Sequence, residues 1–230
     1  MHLANLIALA ILACSCAAAT LQAQESSVRP GINQPYQQPD YDQWVNVFEQ
    51  PGREVYERRA YIIDQLQLRP GMHVADVGAG TGFFSMLIAE EVGESGHVFA
   101  VDIAPEFIDK VVTRAAANEV RNLSGIVNSP RSSGLEENSL DLVFLCDTYH
   151  HFEFPYDMNQ SLYRALKPGG LLYVIDYRKQ EGRSSSWVMG HVRTDEAAVI
   201  VELTDAGFRF DKPIAGLEQN FFLRFVKPAH

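Results

Sequence analysis

Three groups of residues in this 230-residue chain have types and spacings suited to chemistry. The first is residues 74–84, VADVGAGTGFF, where an apolar run meets a turn containing Gly78, Ala79, Gly80 and Gly82 and then a second apolar run. Glycines let a backbone approach a ligand without Cβ interference and support φ/ψ angles closed to other residues, and a strand, such a turn and a helix in succession form a nucleotide cradle. Asp102, at the end of the next apolar run, is spaced to accept hydrogen bonds from two ribose hydroxyls, with Ile103 beside it. Together these features imply an adenosine-containing ligand. The dinucleotide fingerprint needs a glycine three residues after Gly80, where Phe83 stands, and the phosphate-binding P-loop needs a lysine that Thr81-Gly82-Phe83 lacks.

The second group is residues 146–152, CDTYHHF, and the third is residues 176–193, DYRKQEGRSSSWVMGHVR. Each follows an apolar run, so each is expected where ligands bind, beyond a strand's carboxyl end. Tyr149, His150 and His151 are the first acceptor-side candidates, since imidazole can take a proton or orient a donor near neutral pH. Asp176 and His191 are a candidate base with its orienter, and Arg178 or Arg193 could bind an acidic acceptor. Tyr149, Phe152, Phe154, Tyr156 and Trp187 could line an apolar pocket, and Arg53, Glu54 and Arg58 could form a lid. A metal set of His150, His151, Asp147 and His191 has no recognised ligand spacing, and no metal is assigned.

The elements that position these groups are legible as alternating patterns. Helical spacing in YDQWVNVFEQ and REVYERRAYIIDQLQL predicts helices ahead of a sheet, the second stopped by Pro70-Gly71. Short apolar runs then alternate with helical segments: MHVADV, HVFAVD, LSGIVN, LDLVFLC and GLLYVIDY as strands, with three intervening helices. That alternation predicts an α/β fold with a doubly wound, mostly parallel sheet. A helix over DEAAVIVELTDAG and two β-rich runs, FRFDKP and NFFLRFVKP, complete seven strands with antiparallel pairing at one edge.

The run D-x-G-x-G-x-G from Asp76 resembles motif I of the class I S-adenosylmethionine (SAM)-dependent methyltransferases. VFAVDIAPEF, LDLVFLCDTYHHF and LYRALKPGGLLYVIDY resemble later motifs of the same family, in order and at family spacing, across residues 53–226. The chain is similar to bacterial methyltransferases of unassigned substrate that carry a CDTYHHFE run. The resemblance implies a Rossmann-like fold, SAM as cofactor, and Asp76 and Asp147 near the methionine end. After the third strand, family members often place an acid that contacts the adenine amino group; here Asn128 and Ser129 stand there as the candidates. The implied activity is methyl transfer to a small-molecule acceptor. Two other functions remain open: an exported protein of this fold that binds ligand without transferring methyl, and a nicotinamide-dependent oxidoreductase.

Net charge is -10, and the 19 lysines and arginines are scattered, which argues against a nucleic-acid partner. Residues 1–23 read as a signal peptide: residues 3–13 form an apolar core too short to span a bilayer, and cleavage after Ala23 is expected. ILAC ending at Cys14 resembles a lipoprotein box, which would hold the protein at a membrane only if Cys14 is acylated. The expected location is thus exported and periplasmic. Residues 24–40, rich in Pro, Gln and Ser, are expected to be a flexible tether, and residues 41–230 the methyltransferase domain. Cys146 alone remains after the leader, so no intramolecular disulfide forms there, and the multi-cysteine chemistry of arsenic methylation has no basis.

Overall fold

The computed structural model describes residues 24–229; the expected leader, its cleavage position and Cys14 lie outside them. The chain enters through a 3-10 turn, Gln34–Tyr36, and three short helices, α1 (Tyr41–Phe48), α2 (Glu54–Glu57) and α3 (Arg59–Gln65). The alternating part follows as β1 (His73–Val77), α4 (Phe83–Val92), β2 (His97–Asp102), α5 (Pro105–Ala117), β3 (Leu123–Val127), β4 (Leu140–Cys146), α6 (Pro155–Ala165) and β5 (Leu166–Tyr177). It ends with α7 (Ser186–His191), α8 (Glu196–Asp205), β6 (Arg209–Pro213) and β7 (Asn220–Val226).

The seven strands form one sheet in the order β3-β2-β1-β4-β5-β7-β6. β7 runs antiparallel to both neighbours, while the pairs among β1 to β5 are parallel. Both faces are covered, so the central strands are apolar on each side: Val74, Leu142 and Phe144 meet α3 and α4, and Ala75, Val143, Leu145 and Val174 meet α6 and α8. Strand order reverses between β1 and β4, and the crevice beyond their carboxyl ends is where such a sheet takes ligands. The turn after β1, Asp102 at the end of β2 and the 147–152 loop after β4 all converge there.

Two expectations are corrected. The helix expected across residues 53–68 is broken at Arg58, whose ψ of 11° falls outside helical values and separates α2 from α3. Residues 24–40 are laid onto the domain rather than extended as a tether. The Val28 amide donates to the Glu153 carbonyl (2.9 Å), Asn33 Nδ2 donates to the His151 carbonyl (3.1 Å), and Ile32 is buried. Polar composition predicts solvation, but a few anchors such as Ile32 and Tyr36 suffice when the rest of the backbone finds hydrogen-bond partners.

Candidate active site

The glycine turn is pinned to β2 from two sides. The Gly78 and Ala79 amides donate to the Val101 carbonyl (2.7 and 3.0 Å), and the Gly80 amide donates to Asp102 Oδ2 (2.8 Å). Asp102 Oδ1 accepts from the Ala104 amide (2.9 Å), so this carboxylate holds the turn as well as facing the cavity. Burial lifts its pKa to about 6, against the lowering effect of the Ala104 and Gly80 amides. Asp76, at the floor, is pushed up to about 7 by burial; the hydrogen bond from Ser85 Oγ (2.6 Å) opposes that and the nearby Asp102 charge adds to it. Gly78 has φ +78°, and a Cβ there would lie 2.2 Å from both Cγ2 and Oγ1 of Thr148. The turn and the β4 loop therefore touch through a position that only glycine fits.

A cavity of about 850 Å³ opens between these loops, within the range of roughly 300–1,000 Å³ usual for small-molecule sites. Its roof is the N-terminal segment, with Tyr36, Trp44 and Phe48 turned inward. Tyr41 Oη donates to the Thr81 carbonyl (2.9 Å), and Glu49 Oε1 accepts from Thr81 Oγ1 (2.7 Å) and from Arg114 (2.6 Å). Arg53 Nη2 donates to Asp147 Oδ2 (2.7 Å), and Asn220 Nδ2 donates to Asp147 Oδ1 (2.6 Å). Asp147 has φ +52°, a strained conformation for a non-glycine residue, and its position is fixed by these two partners.

The opposite wall carries three imidazoles. His150 is buried, its Nδ1–H donates to Asp176 Oδ1 (2.7 Å), and its backbone amide donates to Asp176 Oδ2 (2.9 Å). Nε2, on the other side of the ring, is buried without a hydrogen-bond partner. His151 packs 4.2 Å from His150 between ring centroids, and its Nδ1 is likewise buried without a partner. Burial, then the neighbouring His150 and His191, drive the His151 pKa down to about 2, so this ring is neutral. His191, in the last turn of α7, lies 5.2 Å from both rings and stacks on Trp187 at 4.6 Å.

Residues 68–210 match the methyltransferase domain family. The chain belongs to that family. It is 31% identical over 109 residues to an arsenite methyltransferase of Halobacterium salinarum, covering 47% of this chain and 28% of that protein. It is 30% identical over 115 residues to a protein-L-isoaspartate O-methyltransferase of Methanothrix thermoacetophila, covering 50% and 52% respectively, so the chain spans about half or less of these curated relatives. A SAM-dependent methyltransferase structure from Aquifex aeolicus superposes with TM-score 0.73 at 25% identity, over 83% of this chain and all of that one. The Rossmann-like methyltransferase fold expected from the motifs is the fold observed.

Within this methyltransferase domain the expected site residues divide clearly. Asp76, Gly78, Ala79, Gly80, Asp102, Ile103, Asn128, Asp147, His150, His151 and His191 line the cavity. Gly82 faces away: a Cβ there would meet Val111 Cγ2 of α5 at 2.7 Å, so its glycine serves helix packing. Ser129 is exposed and accepts from the Arg131 and Ser132 amides in a turn. Asp176 stands behind the wall and pairs with His150, not His191. Tyr149 points into the core, where its hydroxyl donates to Glu202 and accepts from Asn159 (both 2.8 Å). Arg178 and Arg193 are committed to Glu196 and Glu202, and of the lid candidates Arg53 alone lines the cavity. Tyr36 and Thr148 escaped sequence reasoning, the first because it sits in a segment without periodicity.

Proposed function

We propose that the chain transfers a methyl group from SAM to a small-molecule acceptor held against the imidazole wall. The observation that carries this is the Gly80–Asp102 contact: a carboxylate at the end of β2, tied to a positive-φ glycine turn, opens on a cavity whose far side bears imidazoles. The residues fit SAM. Asp102 and the turn would hold the ribose, and Asp76 would meet the cationic methionine end. Arg53 lines the cavity beside Asp147 and offers a guanidinium to a carboxylate. SAM supplies an electrophilic methyl, so the chain's main task is alignment, worth roughly 7–11 kcal/mol when reacting atoms are well placed. An acceptor that arrives protonated must lose its proton at the wall, beside the His150 ring that Asp176 holds in place.

The acceptors named for the relatives are not carried over. Arsenite chemistry lacks thiols here: Cys146 is the one free cysteine among the described residues, and burial raises its thiol pKa. An exported location rests on the leader sequence alone, and no helix among the described residues is long and apolar enough to cross a membrane. Intact mass of the native protein tests that reading through cleavage at Ala23 or acylation at Cys14. Titration calorimetry with SAM, S-adenosylhomocysteine and NAD tests the cofactor; tight NAD binding without SAM affinity refutes it. Labelled SAM incubated with an extract of the producing cell tests transfer, and absence of any labelled product favours a binding protein.

A further inference from the structure

The imidazole wall contains more lone pairs than proton transfer requires. A general base uses one ring, whereas here one ring nitrogen from each of His150, His151 and His191 lies within 4.8 Å of the other two. Two of these rings carry buried nitrogens without hydrogen-bond partners, His150 Nε2 and His151 Nδ1. Leaving such a group unsatisfied is costly, and native interiors rarely tolerate two side by side without a use. A cation shared by one nitrogen of each ring would satisfy both orphaned atoms at once.

The geometry points to a site for one divalent transition metal, held by His150, His151 and His191 with an open position turned toward the acceptor. Three features fit. Asp176 accepts from His150 Nδ1–H, the carboxylate–imidazole arrangement that orients metal-bound histidines and raises their basicity. Three nitrogen ligands and one open position match catalytic zinc, and imidazole donors select zinc and its transition-metal neighbours over magnesium or calcium. The ligand atoms need only a modest closure, since nitrogens about 2.0–2.1 Å from a tetrahedral ion stand roughly 3.3 Å apart. His191 can provide it: it ends a six-residue helix and follows Gly190, around which there is open space. Asp147 is not a ligand, because Arg53 and Asn220 occupy its oxygens.

The site deepens the methyltransferase reading and rests on it for its chemistry. An acceptor hydroxyl bound at the open position loses its proton to solvent more readily beside the cation. Its oxygen lone pair then forms the O–C bond, the C–S bond of the sulfonium breaks, and that electron pair stays on sulfur. The products are a methyl ether and a thioether.

The full chain, stripped with chelator, is titrated with Zn(II) by calorimetry and with Co(II) by visible absorption, and separately with S-adenosylhomocysteine. One metal per chain is expected, with affinity falling at least about tenfold in His150→Ala, His151→Ala and His191→Ala, and about 10- to 100-fold in Asp176→Asn. S-adenosylhomocysteine affinity should survive these changes. If the His150 and His151 variants fail to fold, His191→Ala decides alone. No stoichiometric metal, or unchanged affinity in His191→Ala, overturns the proposal. Nucleoside binding without metal removes only this site; metal without nucleoside binding keeps the site and removes the methyltransferase reading.

Discussion

Gly78→Ala is the sharpest test of how the two halves of the cavity are joined. At φ +78° an L side chain is strained by about 1–2 kcal/mol. The new methyl would also stand 2.2 Å from Thr148 Cγ2 and Oγ1 and 2.7 Å from its Cβ, an overpacking that costs about 1–3 kcal/mol. The sum, roughly 2–5 kcal/mol, is a large share of a typical stability of about 5–15 kcal/mol. Thr148→Gly in the same chain removes all three clashing atoms and should return the packing share while leaving the φ strain. Thr148→Ala removes only the two 2.2 Å contacts and should return part of it, because Cβ stays 2.7 Å away. Denaturant melts of wild type, both single variants and the double variant form a cycle whose coupling energy should be at least about 1 kcal/mol in the rescuing direction. A Gly78→Ala protein within about 0.5 kcal/mol of wild type, or a cycle without coupling, would refute the reasoning. Because Thr148 leads directly into His150 and His151, turnover should also fall further than S-adenosylhomocysteine affinity.

Asp76 and Asp102 have folded-state pKa values of about 7 and about 6. Both lie above the value of about 3.9 for an unfolded aspartate, so the folded chain holds more protons and these groups lower stability as pH rises from roughly 4 to 7. Asp76→Asn should therefore stabilise the ligand-free protein at about pH 8 by on the order of 2–4 kcal/mol and flatten its pH dependence, as read from melts at about pH 5 and pH 8. A variant less stable than wild type at the higher pH contradicts this. Asp102→Ala should release the Gly80 amide, giving faster hydrogen exchange there and at least about tenfold weaker S-adenosylhomocysteine binding by calorimetry. Tyr149→Phe should cost about 1–3 kcal/mol by stranding Asn159 Nδ2 and removing one donor from Glu202, yet leave S-adenosylhomocysteine affinity unchanged. A loss of affinity would return Tyr149 to the acceptor pocket.

What could be read from the chain alone was what depends on neighbours in sequence. The glycine turn, Asp102 and the histidines of the β4 loop are local patterns that follow apolar runs, and strand order carries them to one crevice. Partner choice was not legible. Proximity along one loop pairs Asp176 with His191, fifteen residues on, whereas the structure pairs it with His150, because Cys146 and Ile175 are register partners and the segments that follow them meet across β4 and β5. Gly82 and Gly78 look alike in sequence; only the position of α5 against one and Thr148 against the other separates packing from cavity floor. The 24–40 segment packs on the domain despite its polar composition, because composition reports average solvation while placement depends on single anchors such as Ile32.

The roof over the cavity is tied down by Tyr41 to the Thr81 carbonyl, Glu49 to Thr81 Oγ1 and Arg53 to Asp147. All three ties end on the loops that would grip the ligands, so opening of this segment would release the grip on both at once. At about 1 kcal/mol for a neutral bond and about 1.5–3 kcal/mol for one to a charged group, opening costs on the order of 4–7 kcal/mol. That leaves roughly one molecule in a thousand or fewer open at any instant. The rhythm of turnover would then be set by how often the gate lifts, and a cut anywhere in residues 41–53 would quicken release while loosening the grip on both substrates.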